Sequence, residues 1–332
     1  MYMKRLTIIL IVLVSLVVPT ACHHKVDMSK LDPDDALQQL DIQIHRHPKD
    51  ASLYYARAEI LMSQSKANEA IADLNMAVSL DDSQTKYYML LADAQFANGN
   101  VEQSYKALSR ANELDPDNKD IYLKMGEITF YSRDYDRSLD HLNAVTKTDP
   151  DNRTALFMKS FIYKEKGDTA NAVLLLRKVC DLYPDYAPAY EELGVLYATR
   201  LNPLAADYLN TAITLEPTNT NALYALAMYH QEREEMQAAE ELYVKMLDID
   251  DRNPNAWHNR GYIEMMYYDD YEHAVEYFTR ALDADPSYIE ALLNRALAFK
   301  LIGDKSRARA DYEAALAIDP HCQPAIDGLK RI

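Results

Sequence analysis

Three cysteines, Cys22, Cys180 and Cys322, are too few for a disulfide framework. Only 7 of 332 residues are glycine, beside 13 prolines, which excludes collagen-like, low-complexity and glycine-loop architectures. An excess of cations is also missing. Lys and Arg number 35 against 52 Asp and Glu, a net charge of −17, and such a chain repels phosphate backbones, so no nucleic-acid partner is expected. No apolar run reaches the roughly 18 to 20 residues that a membrane-spanning helix needs. Motifs of the G-x-S-x-G, H-E-x-x-H, P-loop and dinucleotide-binding kinds are absent as well. With 48% hydrophobic and 26% charged residues, what remains is the balance of a water-soluble globular or repeat protein.

The first 21 residues read as an address. Lys4-Arg5 precede an apolar run from Leu6 to Val18, and Pro19-Thr20-Ala21-Cys22 follows. A basic start, a short apolar stretch and a small residue at the end describe a secretory signal peptide. Thr20-Ala21-Cys22 resembles the lipobox of bacterial lipoproteins, departing at Pro19, where that family usually has an aliphatic residue. The resemblance implies cleavage before Cys22 and acylation of its thiol, with the protein held by lipid at the envelope of a Gram-negative bacterium, on the outer membrane facing the periplasm. Each buried CH₂ of such a chain contributes about 0.8 kcal/mol to anchoring. Residues 22–33 would then be the lipidated Cys and its tether, the stretch of about ten residues between Cys22 and the solenoid reaching at most roughly 35 Å.

From there the chain is one unit repeated. Aligned on the residue that closes each unit, the ladder is Pro48, Asp82, Pro116, Pro150, Pro184, Pro217, Asp251, Pro286 and Pro320, with gaps of 34, 34, 34, 34, 33, 34, 35 and 34 residues. Twelve positions before each closing residue from Asp82 onward stands a small side chain: Ala70, Ser104, Ser138, Ala172, Ala205, Ala239, Ala274 and Ala308. One helical turn later comes a large one: Leu74, Leu108, Leu142, Leu176, Leu209, Tyr243, Phe278 and Tyr312. Small and large at i and i+4 share a helix face, as close helix packing requires. Gly126, Gly194 and Gly261 occupy a close-contact position in the first helix of their units. Gly99, Gly167 and Gly303 fall where that helix must stop and a positive φ is wanted.

This pattern resembles the tetratricopeptide repeat. The best unit carries Trp257, Gly261, Ala274, Phe278, Ala281 and Pro286 in the family's positions. The resemblance covers residues 51–322 as eight units. It implies an all-α, right-handed superhelical solenoid of helix-turn-helix repeats, preceded by a degenerate half-repeat over 34–50 and ended by a short cap over 323–332. The second helices of the units closed by Asp82 and Asp251 are expected to run on slightly for want of proline. With so short a cap, the last unit is expected to keep an apolar edge open to self-association.

Candidate chemistry is sparse. His45 and His47 lack the carboxylates or cysteines that would complete a metal site, and read as a helix end before Pro48. His230 and His258 fall in first helices of adjacent units and could approach one another. Acidic doublets such as Glu234-Glu235 point about 100° apart on a helix and read as a solvated face. Cys180 reads as packed and inert, and Cys322 as a minor candidate for an intermolecular disulfide. No catalytic residue, metal or cofactor is expected.

In the resembled family the inner face is built from first-helix positions two, five, nine, twelve and thirteen. Carried onto this chain, these give a candidate peptide-binding groove of Tyr55, Met89, Phe96, Leu123, Phe130, Tyr131, Phe157, Phe161, Tyr224, Met228, His258, Tyr262 and Met265, with acids such as Glu59, Asp93, Glu127 and Glu191 between them. The Lys and Asn of the family's carboxylate clamp are absent from positions five and nine. An apolar, methionine-containing lining suits an extended or helical protein segment, or, alternatively, sugar rings stacked on the aromatics. Residues 220–288 hold 5 basic and 15 acidic side chains, which favours a basic segment there. The expected function is a non-catalytic envelope scaffold binding another envelope protein or peptide segment, with glycan binding as the alternative.

Overall fold

The computed structural model describes residues 32–332, and these form eighteen α-helices and no strand. The signal peptide, Cys22 and nearly all of the tether lie outside the described residues. After α1 (Pro33–Arg46), the first helices of the units are α2 (Ala51–Ser63), α4 (Thr85–Ala97), α6 (Lys119–Tyr131), α8 (Arg153–Glu165), α10 (Ala187–Ala198), α12 (Thr220–Glu232), α14 (Pro254–Tyr267) and α16 (Ile289–Leu301). Their second helices are α3 (Ala67–Leu80), α5 (Val101–Leu114), α7 (Tyr135–Thr148), α9 (Thr169–Leu182), α11 (Leu204–Leu215), α13 (Met236–Ile249), α15 (Tyr271–Ala284) and α17 (Lys305–Ile318). The eight-residue α18 (Gln323–Lys330) ends the chain. Two compact units result, one ending at Leu114 and holding α1–α5, the other running from Asp115 and holding α6–α18.

Within each unit the small-on-large register does the packing. All eight small residues from Ala70 to Ala308 are completely buried, and their large partners are at most 6% exposed. Where the small residue is serine, its hydroxyl donates to a carbonyl of the facing helix: Ser104 to Ala92 at 2.7 Å and Ser138 to Gly126 at 2.6 Å. A buried hydroxyl left unpaired would cost about 1 to 3 kcal/mol. At Gly194 an added Cβ would stand 2.6 Å from Leu209 Cγ, so glycine there is a requirement of helix approach.

Starts and stops are set by short polar side chains. Asn152, Asn219 and Asn253 each accept from the amide three residues on, at 3.0 Å, capping α8, α12 and α14. Each such cap contributes about 1 kcal/mol. The expected extension of α3 and α13 does not occur: both are 14 residues long, like α5, α7, α9, α15 and α17. Asp81 accepts from the Ser83 amide at 3.1 Å and Asp250 from the Arg252 amide at 3.1 Å, and these Asx turns redirect the chain without proline.

The turn between first and second helices takes the same left-handed backbone in all eight units. Gly99, Gly167 and Gly303 supply it with φ of 78°, 77° and 89°, as expected. Ser65, Arg133, Leu201, Glu234 and Asp269 adopt it too, at φ of 50° to 61°. The fold therefore imposes this conformation on side chains that disfavour it. At the end of the chain, α18 lays Gly328 against the Tyr312 ring and buries Ala325, while Ile326, Leu329 and Ile332 are half-buried. The terminal edge is thus partly covered. Cys322 is 7% exposed, and so is not presented for a disulfide between copies.

Candidate functional site

In the first unit, Tyr55 lies against Tyr87 with ring centroids 5.0 Å apart, and Lys86 Nζ stands 4.8 Å over its ring. Burial, aided by a hydrogen bond to Glu59, pushes the Tyr55 hydroxyl up to about 12. Met89 and Phe96 are half-buried on the next first helix, α4.

The remaining candidates belong to the second unit. Leu123 and Phe130 pack on the core formed by Leu142, Val145 and Ile162, and Phe130 meets Tyr131 edge-on at 5.9 Å. Tyr131 itself is 63% exposed. On α8, Phe157 and Phe161 form an edge-to-face pair at 4.9 Å, and Tyr186, the residue that precedes α10, closes over Phe157 at 5.2 Å. Lys164 then lies 4.7 Å over Phe161 while pairing with Glu192 at 2.6 Å. That stretch of surface has satisfied its own aromatic and charged groups.

Between α10 and α12 the same positions hold smaller side chains and the surface opens. Val195 and Ala198 stand where α8 has Phe161 and Lys164, and Asn219 replaces the covering tyrosine. The result is an apolar depression of about 400 Å³ whose floor and walls include Val195, Ala198, Tyr224 and Met228. Glu191 and Glu232 stand on its rim. The Asn219 amide nitrogen donates to Glu191 at 2.8 Å, orienting that carboxylate without neutralising it. Tyr243 beneath donates its hydroxyl to Gln231 Oε1 at 3.0 Å, with Met228 Sδ 3.3 Å from the same oxygen. Of the expected groove residues, then, the structure brings Tyr224 and Met228 into one concavity. Val195, Ala198 and Glu232 are additions to it, and Asn219 acts on it only through Glu191; for Val195 and Ala198, smallness at positions nine and twelve was the available signal.

Further along, His258 and Tyr262 are half-buried on α14. Tyr288 covers His258 at 4.9 Å, Phe278 supports it at 5.6 Å, and the Asn294 amide lies 2.9 Å from its Nε2. Burial holds the imidazole pKa below its ordinary value. His230 has separate partners, Glu235 at 2.6 Å and Tyr229, so the two histidines do not form a pair. Met265 is a correction. It is 3% exposed and packs with Ala274, Phe278 and Ala298, because its position in α14 faces the second helix of its own unit. Cys180 is also packed, 6% exposed with its thiol pushed up to about 12 by burial. Among the described residues no group of three or more His, Cys, Asp or Glu side chains is placed to hold a metal, and no helix is long and apolar enough to cross a membrane.

A tetratricopeptide-repeat family model matches residues 27–85, 123–187 and 267–321, more than half of the chain, and a second model of the same repeat matches 85–118. The chain belongs to the tetratricopeptide repeat family. Among solved structures it resembles the C-terminal part of a TPR repeat-containing protein from Cytophaga hutchinsonii, at 20% identity and a TM-score of 0.61, covering 74% of this chain and 99% of that one. A tetratricopeptide repeat protein from Parabacteroides merdae gives 16% identity and a TM-score of 0.56 over 75% and 98% of the two chains. Cut9–Hcn1, from an APC/C hetero-tetramer, gives 18% identity and 0.54 over 92% and 61%. These likenesses concern the fold. In sequence, an uncharacterized protein of Methanocaldococcus jannaschii is 38% identical over 52 residues, 16% of this chain; the match spans 60% of that relative's length. Tetratricopeptide repeat proteins bind peptide or protein partners.

Proposed function

We propose that this tetratricopeptide repeat protein is a non-catalytic scaffold of the bacterial envelope that holds a segment of another envelope protein on its first-helix faces. The observation that carries the reading is the α10–α12 depression: an open apolar concavity on a repeat surface whose preceding stretch, on α8, is filled by its own aromatics. The N-terminal sequence supports the location, with Lys4-Arg5, a short apolar run and the lipobox-like Thr20-Ala21-Cys22. Acylation of Cys22 would anchor the chain. The mature chain, with 33 basic and 52 acidic side chains, is repelled by anionic lipid, so the acyl groups would supply the attachment.

Crosslinking the membrane-bound protein in cells and identifying the captured species by mass spectrometry tests both parts. One dominant envelope protein is the expected catch, with Cys22→Ser shifting the protein from the membrane pellet to the soluble fraction. Failure to capture any protein would count against the scaffold, and persistence of Cys22→Ser in the pellet would count against the lipid anchor.

A further inference from the structure

We propose that the α10–α12 depression is a subsite for a partner segment in which one apolar side chain is flanked on both sides by lysine or arginine; this deepens the scaffold reading and rests on it. The cavity sets the apolar part. At about 400 Å³, walled by Val195, Ala198, Tyr224 and Met228, it has room for a leucine- to phenylalanine-sized side chain. Methionine at its wall adapts to either shape.

The rim sets the charges. Glu191 is at the start of α10, level with Tyr224 of α12 in the repeat register, and Glu232 lies eight residues beyond Tyr224. Eight residues of helix rise roughly 12 Å, so the carboxylates stand at opposite ends of the trough. An extended segment covers that distance in about four residues, placing cations at i and i+4 around a central apolar anchor. Neither carboxylate is neutralised. Glu191 accepts only from the neutral Asn219 amide, and Glu232 makes no ion pair among the described residues. The nearest cation in sequence, Arg233, is held by Glu235 at 3.0 Å and lies over Tyr229. Residues 220–253, which include one wall of the trough, carry 3 basic and 8 acidic side chains, so the surrounding field has the same sign. An acidic or uncharged segment would leave those rim charges uncompensated on docking.

The test uses the protein with ¹³C-methyl methionine and a synthetic peptide, Arg-Ser-Leu-Ser-Arg with blocked termini, the Met228 signal being assigned by Met228→Leu. The expected result is a saturable shift of the Met228 methyl, at least about tenfold weaker when both arginines are replaced by glutamate or the leucine by serine. Ala198→Phe, which fills the trough from its own wall, should abolish the shift. Glu191→Gln with Glu232→Gln should weaken binding and flatten its salt dependence. No Met228 shift at millimolar peptide, or an equal shift with the glutamate peptide, would overturn the proposal. Repeating the cellular crosslinking with Ala198→Phe separates the two readings. A partner still captured by that variant sinks this subsite and leaves the scaffold standing, whereas capture of nothing by the parent protein sinks the scaffold.

Discussion

On α8 and on α10, the same helix positions of one repeat do opposite things. Phe157, Phe161 and Lys164 close on one another, with Tyr186 as a lid and Glu192 as counter-ion, so that face is finished without a partner. Glu191, Val195 and Ala198 leave an opening that Asn219 cannot cover. The helix-turn-helix backbone is shared, so availability of a surface in this fold is decided by a few side-chain volumes at positions five, nine and twelve and by the residue that caps the next first helix. An aromatic residue on the inner face is therefore poor evidence of a binding role. A run of small residues between acids is better evidence.

Stability measurements should show the contrast most strongly. Phe157→Ala removes a ring held by Phe161, Tyr186 and the core around Leu156 and Leu193, and should cost about 2 to 3 kcal/mol. Tyr224→Ala removes a ring that borders the open trough, and should cost about 1 kcal/mol. Urea unfolding of the two variants reads the difference. Equal losses would mean that the α12 face is packed as tightly as the α8 face and that the depression is no more than a crevice.

The ladder of closing residues and the small-on-large pairs made the repeat legible from sequence alone, because each has a single packing consequence at a fixed period. Ala70 with Leu74 through to Ala308 with Tyr312 all landed in the core. The binding face was less legible. Positions five to thirteen of a first helix sit at the border between core and solvent, so a large side chain there can turn either way. Met265 turned inward and Tyr131 outward. The cap residues carry a further signal of which sequence shows only half: Asn219 both starts α12 and orients Glu191, a double role that only the neighbouring helix reveals. Asx turns at Asp81 and Asp250 likewise replaced proline, which periodicity weighs too heavily as the stop signal.

A smaller effect is expected where the opening begins. The turn after α10 forces Leu201 to φ of 50°, a conformation that its counterparts Gly99 and Gly167 accept freely. Leu201 is 45% exposed, so its side chain contributes little packing in exchange. Leu201→Gly should therefore stabilise the protein by about 1 kcal/mol, the relief of left-handed strain outweighing the added freedom of the unfolded chain. A raised urea midpoint checks this. A lowered one would show that Leu201 braces the α10–α11 turn and, through it, the wall of the trough.

The smallest effect separates a closed site from an open one by its response to protons. His258 holds position five of α14 and is lidded by Tyr288 as Phe157 is by Tyr186. Burial lowers its pKa below the ordinary 6.5, opposed in part by Asn259 and Glu290, and Nε2 accepts from the Asn294 amide only when unprotonated. A histidine with a lowered folded pKa takes up protons more readily when unfolded. Its contribution to stability is therefore complete above the unfolded value and declines as pH falls through about 6.5, levelling once the folded form also protonates. His141, lowered by burial on α7, acts in the same direction, while the exposed His273 beside Asp270 is raised and acts in the opposite one. The comparison that isolates the lidded site is thus His258→Gln against the parent protein, with thermal midpoints read at about pH 7 and about pH 5.5. The parent should lose more on acidification than the variant does. Identical losses would mean that Tyr288 is not a tight lid, that water reaches the imidazole, and that α14 belongs with the open face of α10–α12 and not with the closed face of α8.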